Sequence, residues 1–225
     1  MPHRPHPRVQ KRLEALRQQV LRMGHLAEAI LEKALRSVWT RNSDLAKQIK
    51  ADDLPIDRLD VEIDQAVLEL LALQAPVAQD LREVIAIKTA ATDLERVGDL
   101  ARNIAKSSIR LSERPAVAWP PLLETLAAES QRVLANSLRA FADYDAAIAR
   151  EVIAADDQID ADEDLTIREA MDEIRQHPEE CEQEVDIIMI AKNLERVADH
   201  ATNIAEDVIL VAESLNLKHA PKLVS

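Results

Sequence analysis

Two segments a hundred positions apart present the same oxygen-bearing side chains in the same order. Residues 94–105 read LERVGDLARNIA and residues 194–205 read LERVADHATNIA, with nine of twelve positions identical. Each carries a glutamate, an aspartate and an asparagine four residues apart: Glu95, Asp99 and Asn103, then Glu195, Asp199 and Asn203. On a helix, three such residues fall within about 80° of one another and span roughly 12 Å. Carboxylates followed by an amide oxygen are hard ligands, suited to Mg²⁺, Mn²⁺, Ca²⁺ or iron. One helix cannot complete a coordination sphere, so a neighbour must contribute. Asp53 with Asp57, and Asp156 with Asp160, are the candidates: acidic pairs four residues apart, again one in each half of the chain.

The plainer reading is a solvated face, because acids opposite an apolar seam are common on amphipathic helices. Two observations weigh against it. Acids at i and i+4 repel each other by roughly 0.2–0.5 kcal/mol, and a duplicated bundle has no structural need to keep that pair twice. The polar positions also recur as faithfully as the apolar ones. Other chemistries lack their signatures: there is no P-loop, no HExxH and no nucleophile elbow. Carboxylate-bridged di-iron sites in bundles usually include a Glu-x-x-His pattern, and neither Glu95 nor Glu195 begins one. A non-enzymatic protein is therefore expected, with a carboxylate-bridged metalloenzyme or a metal-free helical scaffold as alternatives.

The elements that position these residues are helical. The chain has 225 residues, with 47% hydrophobic, 2% aromatic and two glycines. Hairpin turns favour glycine, so the core must be built on helices from Leu, Ile, Val and Ala. Apolar periodicity and proline breaks place a first helix around Leu13 to Leu35, then helices over about 44–73, 77–111, 122–141, 143–175 and 179–215, with Asp44 as the N-cap of the second. Pro55 falls inside the second pattern; either Asp52 and Asp53 cap a fresh helix there or the helix bends. The halves match beyond the motif: ADDLPID at 51–57 answers ADDQID at 155–160 with one residue dropped, and QAP at 74–76 answers QHP at 176–178. The expected organisation is a flexible leader over 1–8, a three-helix unit over 9–114, a proline-rich linker over 115–121, a second three-helix unit over 122–217 and a tail over 218–225.

Net charge is −13, which disfavours nucleic acid as a partner. No apolar run approaches eighteen residues, so no membrane span is expected. The single cysteine, Cys181, fits a reducing compartment, and the cytoplasm is the expected location. Arg96 and Arg196 read as surface ion pairs, His200 as an interhelical or surface residue, and Trp39 and Trp119 as closures of the bundle ends.

Taken together, QAPVAQDLREV (74–84), DLERVGDLARNI (93–104), NLERVADHATNI (193–204) and the acidic stretches near Asp53 and Asp156 resemble the PhoU family of phosphate-signalling proteins. The likeness runs from about residue 9 to 217 and includes the order and duplication of the parts. It implies an all-α fold of two tandem three-helix bundles related by pseudo-twofold symmetry. It also implies metal clusters held by paired acidic motifs, here Asp53/Asp57 with Glu95/Asp99 and Asp156/Asp160 with Glu195/Asp199, extended by Asn103 and Asn203. The expected cofactors are divalent or trivalent ions: iron, manganese, magnesium or zinc. The resemblance further implies a negative regulator of phosphate uptake that links the ATPase subunit of a phosphate ABC transporter to a sensor histidine kinase, reaching the membrane only through the transporter. A homodimer is the expected assembly. Pro55 stands where the family pattern has an ordinary helix residue, which puts the first site in question. The Asp80–Leu81–Arg82 element has no counterpart in the second half.

Overall fold

A computed structural model describes residues 7–76 and 78–217. Among these residues there are seven α-helices: α1 (Pro7–Trp39), α2 (Ser43–Gln74), α3 (Gln79–Ser112), α4 (Pro121–Asp143), α5 (Ala146–Ala154), α6 (Asp156–Gln176) and α7 (Cys181–Glu213). A single 3-10 turn, Pro178–Glu180, precedes α7, and no strand occurs among the described residues. Helices α1–α3 form one bundle and α4–α7 the other. Most of the expected leader and all of the expected tail lie outside the described residues, as does Val77, where the third helix was expected to begin.

The apolar stripe read from the repeat packs as its periodicity requires. Leu94, Val97, Ala101 and Ile104 are fully buried, as are Leu194, Val197, Ala201 and Ile204. Burying one such Leu, Ile or Val contributes about 1.5–3 kcal/mol. Helices α3 and α7 make the most extensive contact between the bundles, and they run antiparallel: Asp93 meets Asn203, and Arg110 meets Asp186. Asp186 is buried and accepts from Arg110 Nε at 2.8 Å and Arg114 Nη1 at 2.9 Å. Trp39, at the end of α1, packs edge-on against Trp119 of the linker with ring centroids 5.5 Å apart.

Three helix boundaries differ from expectation, each for a local reason. Asn42, not Asp44, caps α2: its side chain accepts from the Leu45 N–H at 3.0 Å. Helix α2 continues unbroken through the exposed Pro55, so Asp52 and Asp53 start no new helix. The helix expected over 143–175 is instead two. Asp143 ends α4, Tyr144 turns the chain with a φ of 53°, and Asp145 caps α5 by accepting from the N–H groups of Ala147 and Ile148. Helix α5 then gives way to α6 at Ala155, whose N–H bonds back to Val152 at 3.1 Å. That i-to-i−3 bond is a tighter, 3-10-type turn. It falls where ADDQID is one residue shorter than ADDLPID, and α6 begins directly after it, with Asp156 and Asp160 one turn apart on the same face.

Candidate functional site

In each half, the repeated motif lies beside the helix that carries the second acidic pair, α2 against α3 and α6 against α7. The acidic stripe therefore lies at a helix–helix boundary rather than directly opposite the core, and in the second half Asp160 and Asp199 remain exposed to solvent. It lines an interhelical groove, where the Glu95 and Asp99 side chains are 25% and 35% exposed.

In the second half the carboxylates converge. Oxygens of Asp156, Asp160 and Asp199 all lie within 4.8 Å of one another. Cation–oxygen distances of about 2.0–2.6 Å let one ion reach oxygens that far apart, so the donor set fits a hard cation. Thr202 donates to Asp156 Oδ1 at 3.1 Å. The crowding is visible electrostatically. Burial, then the charges of Asp156 and Asp199, raise the Asp160 carboxyl. Burial, then Asp199, Glu163 and Asp160, push Glu195 up to about 7. A cation would relieve this repulsion.

The first half is arranged differently. Asp53 is 2% exposed, and its Oδ2 accepts from Arg102 Nη1 at 2.7 Å. The same nitrogen lies 3.0 Å from Asp99 Oδ1. A guanidinium thus bridges the two carboxylates from α2 and α3. Asp53 can pack this deeply because Gly98 faces it: a Cβ at residue 98 would sit 2.4 Å from Asp53 Oδ1. Burial raises the Asp53 carboxyl, and the Arg102 hydrogen bond works against that rise. Burial is also the main cause of the raised Glu95 carboxyl, followed by Asp99. The charges of Asp57 and Asp60 act on the same group. With Arg102 in place, this donor set does not fit a metal ion as the second set does.

Both asparagines are engaged elsewhere. Asn203 donates to Asp93 across the bundle interface at 3.2 Å, and Asn103 Oδ1 accepts from Lys106 at 3.0 Å. His200 is interhelical, with Nδ1 2.7 Å from Asp93 Oδ1. Arg96 forms exposed ion pairs with Glu95 and Asp99. The sequence reading missed Arg102 and Thr202, and also Asp60 and Glu163. The last two lie three residues beyond Asp57 and Asp160 on the same helical faces. Asp60 and Asp64 approach Lys88 at 4.0 and 2.5 Å, and Glu163 pairs with Lys192 at 2.8 Å. Extending the acidic periodicity past i+4 would have found them.

A doubled three-helix bundle with an acidic groove in each half defines a class of helical proteins, and comparison with known proteins specifies which. The PhoU domain model matches residues 20–108 and again 123–208. The chain belongs to the PhoU family. A phosphate-specific transport system accessory protein PhoU homolog from Xylella fastidiosa is 37% identical over 199 residues, covering 88% of this chain and 84% of that one. The homolog 1 of Thermotoga maritima is 33% identical over 215 residues, covering 95% and 92%. The crystal structure of PhoU from Pseudomonas aeruginosa superposes with a TM-score of 0.87 at 31% identity, covering 92% of this chain and 99% of that one.

Proposed function

We propose that this chain is a non-enzymatic accessory protein of a phosphate transport system, one that restrains phosphate uptake and phosphate-responsive signalling by docking. Its partners in this reading are the transporter's ATPase subunit and a sensor histidine kinase, met in the cytoplasm. The observation that carries the proposal is the whole-chain likeness: two PhoU domains, in order, matching relatives named as phosphate-transport accessory proteins over more than four-fifths of their length. No helix among the described residues is long and apolar enough to cross a membrane; in this reading contact with the membrane runs through the transporter.

The acidic groove of the second half is the proposed metal site, with Asp156, Asp160 and Asp199 as ligands and Glu195 beside them. A bound cation would neutralise carboxylates that now repel, and so fix α6 against α7. The homodimer draws support from α2, where Leu54, Val61 and Leu68 recur every seven residues and are 49%, 64% and 67% exposed. Heptad-spaced apolar residues on an outer face are the pattern of a helix–helix seam.

Deletion of the gene tests the regulatory reading: phosphate-starvation genes should become active in high phosphate. Repression that persists in the deletion strain refutes it. Elemental analysis after loading with Mn²⁺, Mg²⁺ or iron tests the metal site, and a protein that retains none has a docking groove rather than a metal site. Val61→Glu with Leu68→Glu should convert a dimer to a monomer in light scattering; an unchanged mass removes α2 as the seam.

A further inference from the structure

We infer that Arg102 is the resident cation of the first acidic groove, so that of the two duplicated grooves only the second takes up a metal ion. The inference rests on the metal reading of the PhoU grooves given above, and it sets the two halves apart.

Arg102 Nη1 lies within hydrogen-bonding distance of Asp53 Oδ2 from α2, at 2.7 Å, and of Asp99 Oδ1 from α3, at 3.0 Å. A cation joining these two helices would need the space between the same two oxygens. A carboxylate as deeply buried as Asp53 needs a counter-charge, and Arg102 supplies one permanently because arginine stays protonated. Asp53 is anchored in that arrangement, pressed against Gly98 on one side and bonded to Arg102 on the other. A metal ion would have to displace the guanidinium and find it another partner.

The surroundings point the same way. Arg102 lines a cavity of about 370 Å³ between α2 and α3 together with Lys47, Lys50 and Lys106. That cavity is basic, whereas the groove beside it is acidic: the hydrogen bond and charge of Asp53, then the charges of Asp99 and Asp57, favour the protonated guanidinium and so hold Arg102 in the cation's place. In the second copy of the motif, Thr202 stands at the position of Arg102 and Glu206 at that of Lys106. Two positive charges are replaced by one neutral hydroxyl and one negative charge. Thr202 donates to Asp156 as Arg102 donates to its equivalent, Asp53, so the same contact is made without filling the groove with charge.

The test uses the full chain and Mn²⁺ alone, followed by equilibrium dialysis with elemental analysis and by thermal melting with and without the ion. The wild-type protein should bind Mn²⁺ and lose at least tenfold in affinity on Asp199→Asn. Adding Arg102→Thr to Asp199→Asn should restore binding, and Mn²⁺ should then raise the melting temperature of the double variant but not of Asp199→Asn. If the threonine variant fails to fold, Arg102→Gln carries the same readout. Wild-type binding that survives Asp199→Asn and disappears with Asp99→Asn overturns the inference. So does a folded double variant that binds nothing while the wild type binds; the metal reading of the second groove then stands by itself. Binding by the double variant without binding by the wild type sinks the metal reading and leaves Arg102 as the first groove's cation. No binding by either protein ends both.

Discussion

Gly98→Ala should destabilise the protein although alanine is the better helix former. Alanine in place of glycine inside a helix gains about 1 kcal/mol. Here the added Cβ would sit 2.4 Å from Asp53 Oδ1, about 1 Å inside ordinary van der Waals contact. The carboxylate has little room to retreat, because it is 2% exposed and its other oxygen is held by Arg102. Overpacking a filled site costs about 1–3 kcal/mol. Pulling Asp53 off Arg102 forfeits a charge-assisted bond worth about 1.5–3 kcal/mol, at the lower end because the Arg102 side chain is 34% exposed. The expected net loss is about 1–3 kcal/mol, and for a chain of this size 2 kcal/mol lowers the melting temperature by about 4–8 °C. Urea and thermal unfolding followed by far-ultraviolet circular dichroism measure it. A double-mutant cycle isolates the cause. With Asp53→Ala the next contact of the new methyl is Ile56 Cδ1 at 3.4 Å, so Gly98→Ala should then become neutral or stabilising. In the second copy the chain already carries a buried alanine, Ala198, and Ala198→Gly should cost about 1 kcal/mol. A Gly98→Ala protein as stable as wild type, or one equally destabilised with and without Asp53, would refute the packing argument.

Three further outcomes are expected. Glu184 is 1% exposed, and burial, then Glu173 and Glu180, push its carboxyl up to about 7; the folded state therefore binds the proton more tightly than the unfolded chain. Stability should fall as pH rises from about 4.5 to 7, by about 1–3 kcal/mol, and Glu184→Gln should flatten that span in urea titrations, with an unchanged slope counting against the assignment. Asn42→Ala should cost about 1 kcal/mol as a lost N-cap, whereas Asp44→Ala, at a side chain 87% exposed, should stay within about 0.5 kcal/mol; the reverse order in chemical denaturation would restore Asp44 as the cap. Asp186→Ala should cost about 1–3 kcal/mol, below the full penalty for breaking a buried pair because Arg110 and Arg114 can rehydrate, and a loss under about 0.5 kcal/mol would show that this contact does little to join the bundles.

Much of the fold is legible in the sequence because it follows from local rules. The spacing of Leu94, Val97, Ala101 and Ile104 fixes which face of α3 is buried, whatever packs against it. The proline-rich linker and the duplicated motif together give two bundles. What was not legible depends on register between helices. Asp143 and Asp145 are equally plausible caps by residue type; the left-handed Tyr144 between them decides in favour of Asp145. Pro55 reads as either a break or a bend, and α2 runs through it as one helix because the residue is on an exposed face and the surrounding Ile49, Ile56, Leu59 and Ile63 are buried. The acidic stripe was counted in steps of four along one helix. Arg102 lies off that count, three residues past Asp99, and its role appears only when α2 brings Asp53 to it.

The signal for that role was nevertheless present in the sequence, in the positions where the two motifs disagree. Their twelve residues differ at three places: Gly98 against Ala198, Leu100 against His200, and Arg102 against Thr202. Each difference falls where the two halves pack or bond differently. Gly98 clears the space in which Asp53 is buried, whereas Ala198 already fills its place with a methyl. Leu100 is a buried apolar residue, whereas His200 hydrogen-bonds Asp93 across the bundle interface. Arg102 joins Asp53 to Asp99, whereas Thr202 donates to Asp156. Identity between the copies reports what both halves of this chain keep: the apolar seam and the acidic groove. The substitutions report how each groove is used. Gly98 and Arg102 act together on one carboxylate, since burying Asp53 without a counter-charge, or placing the arginine without a buried acid to hold it, would each be unfavourable. The pair reads as one change in two residues, and it converts a duplicated acidic groove into an internal salt bridge.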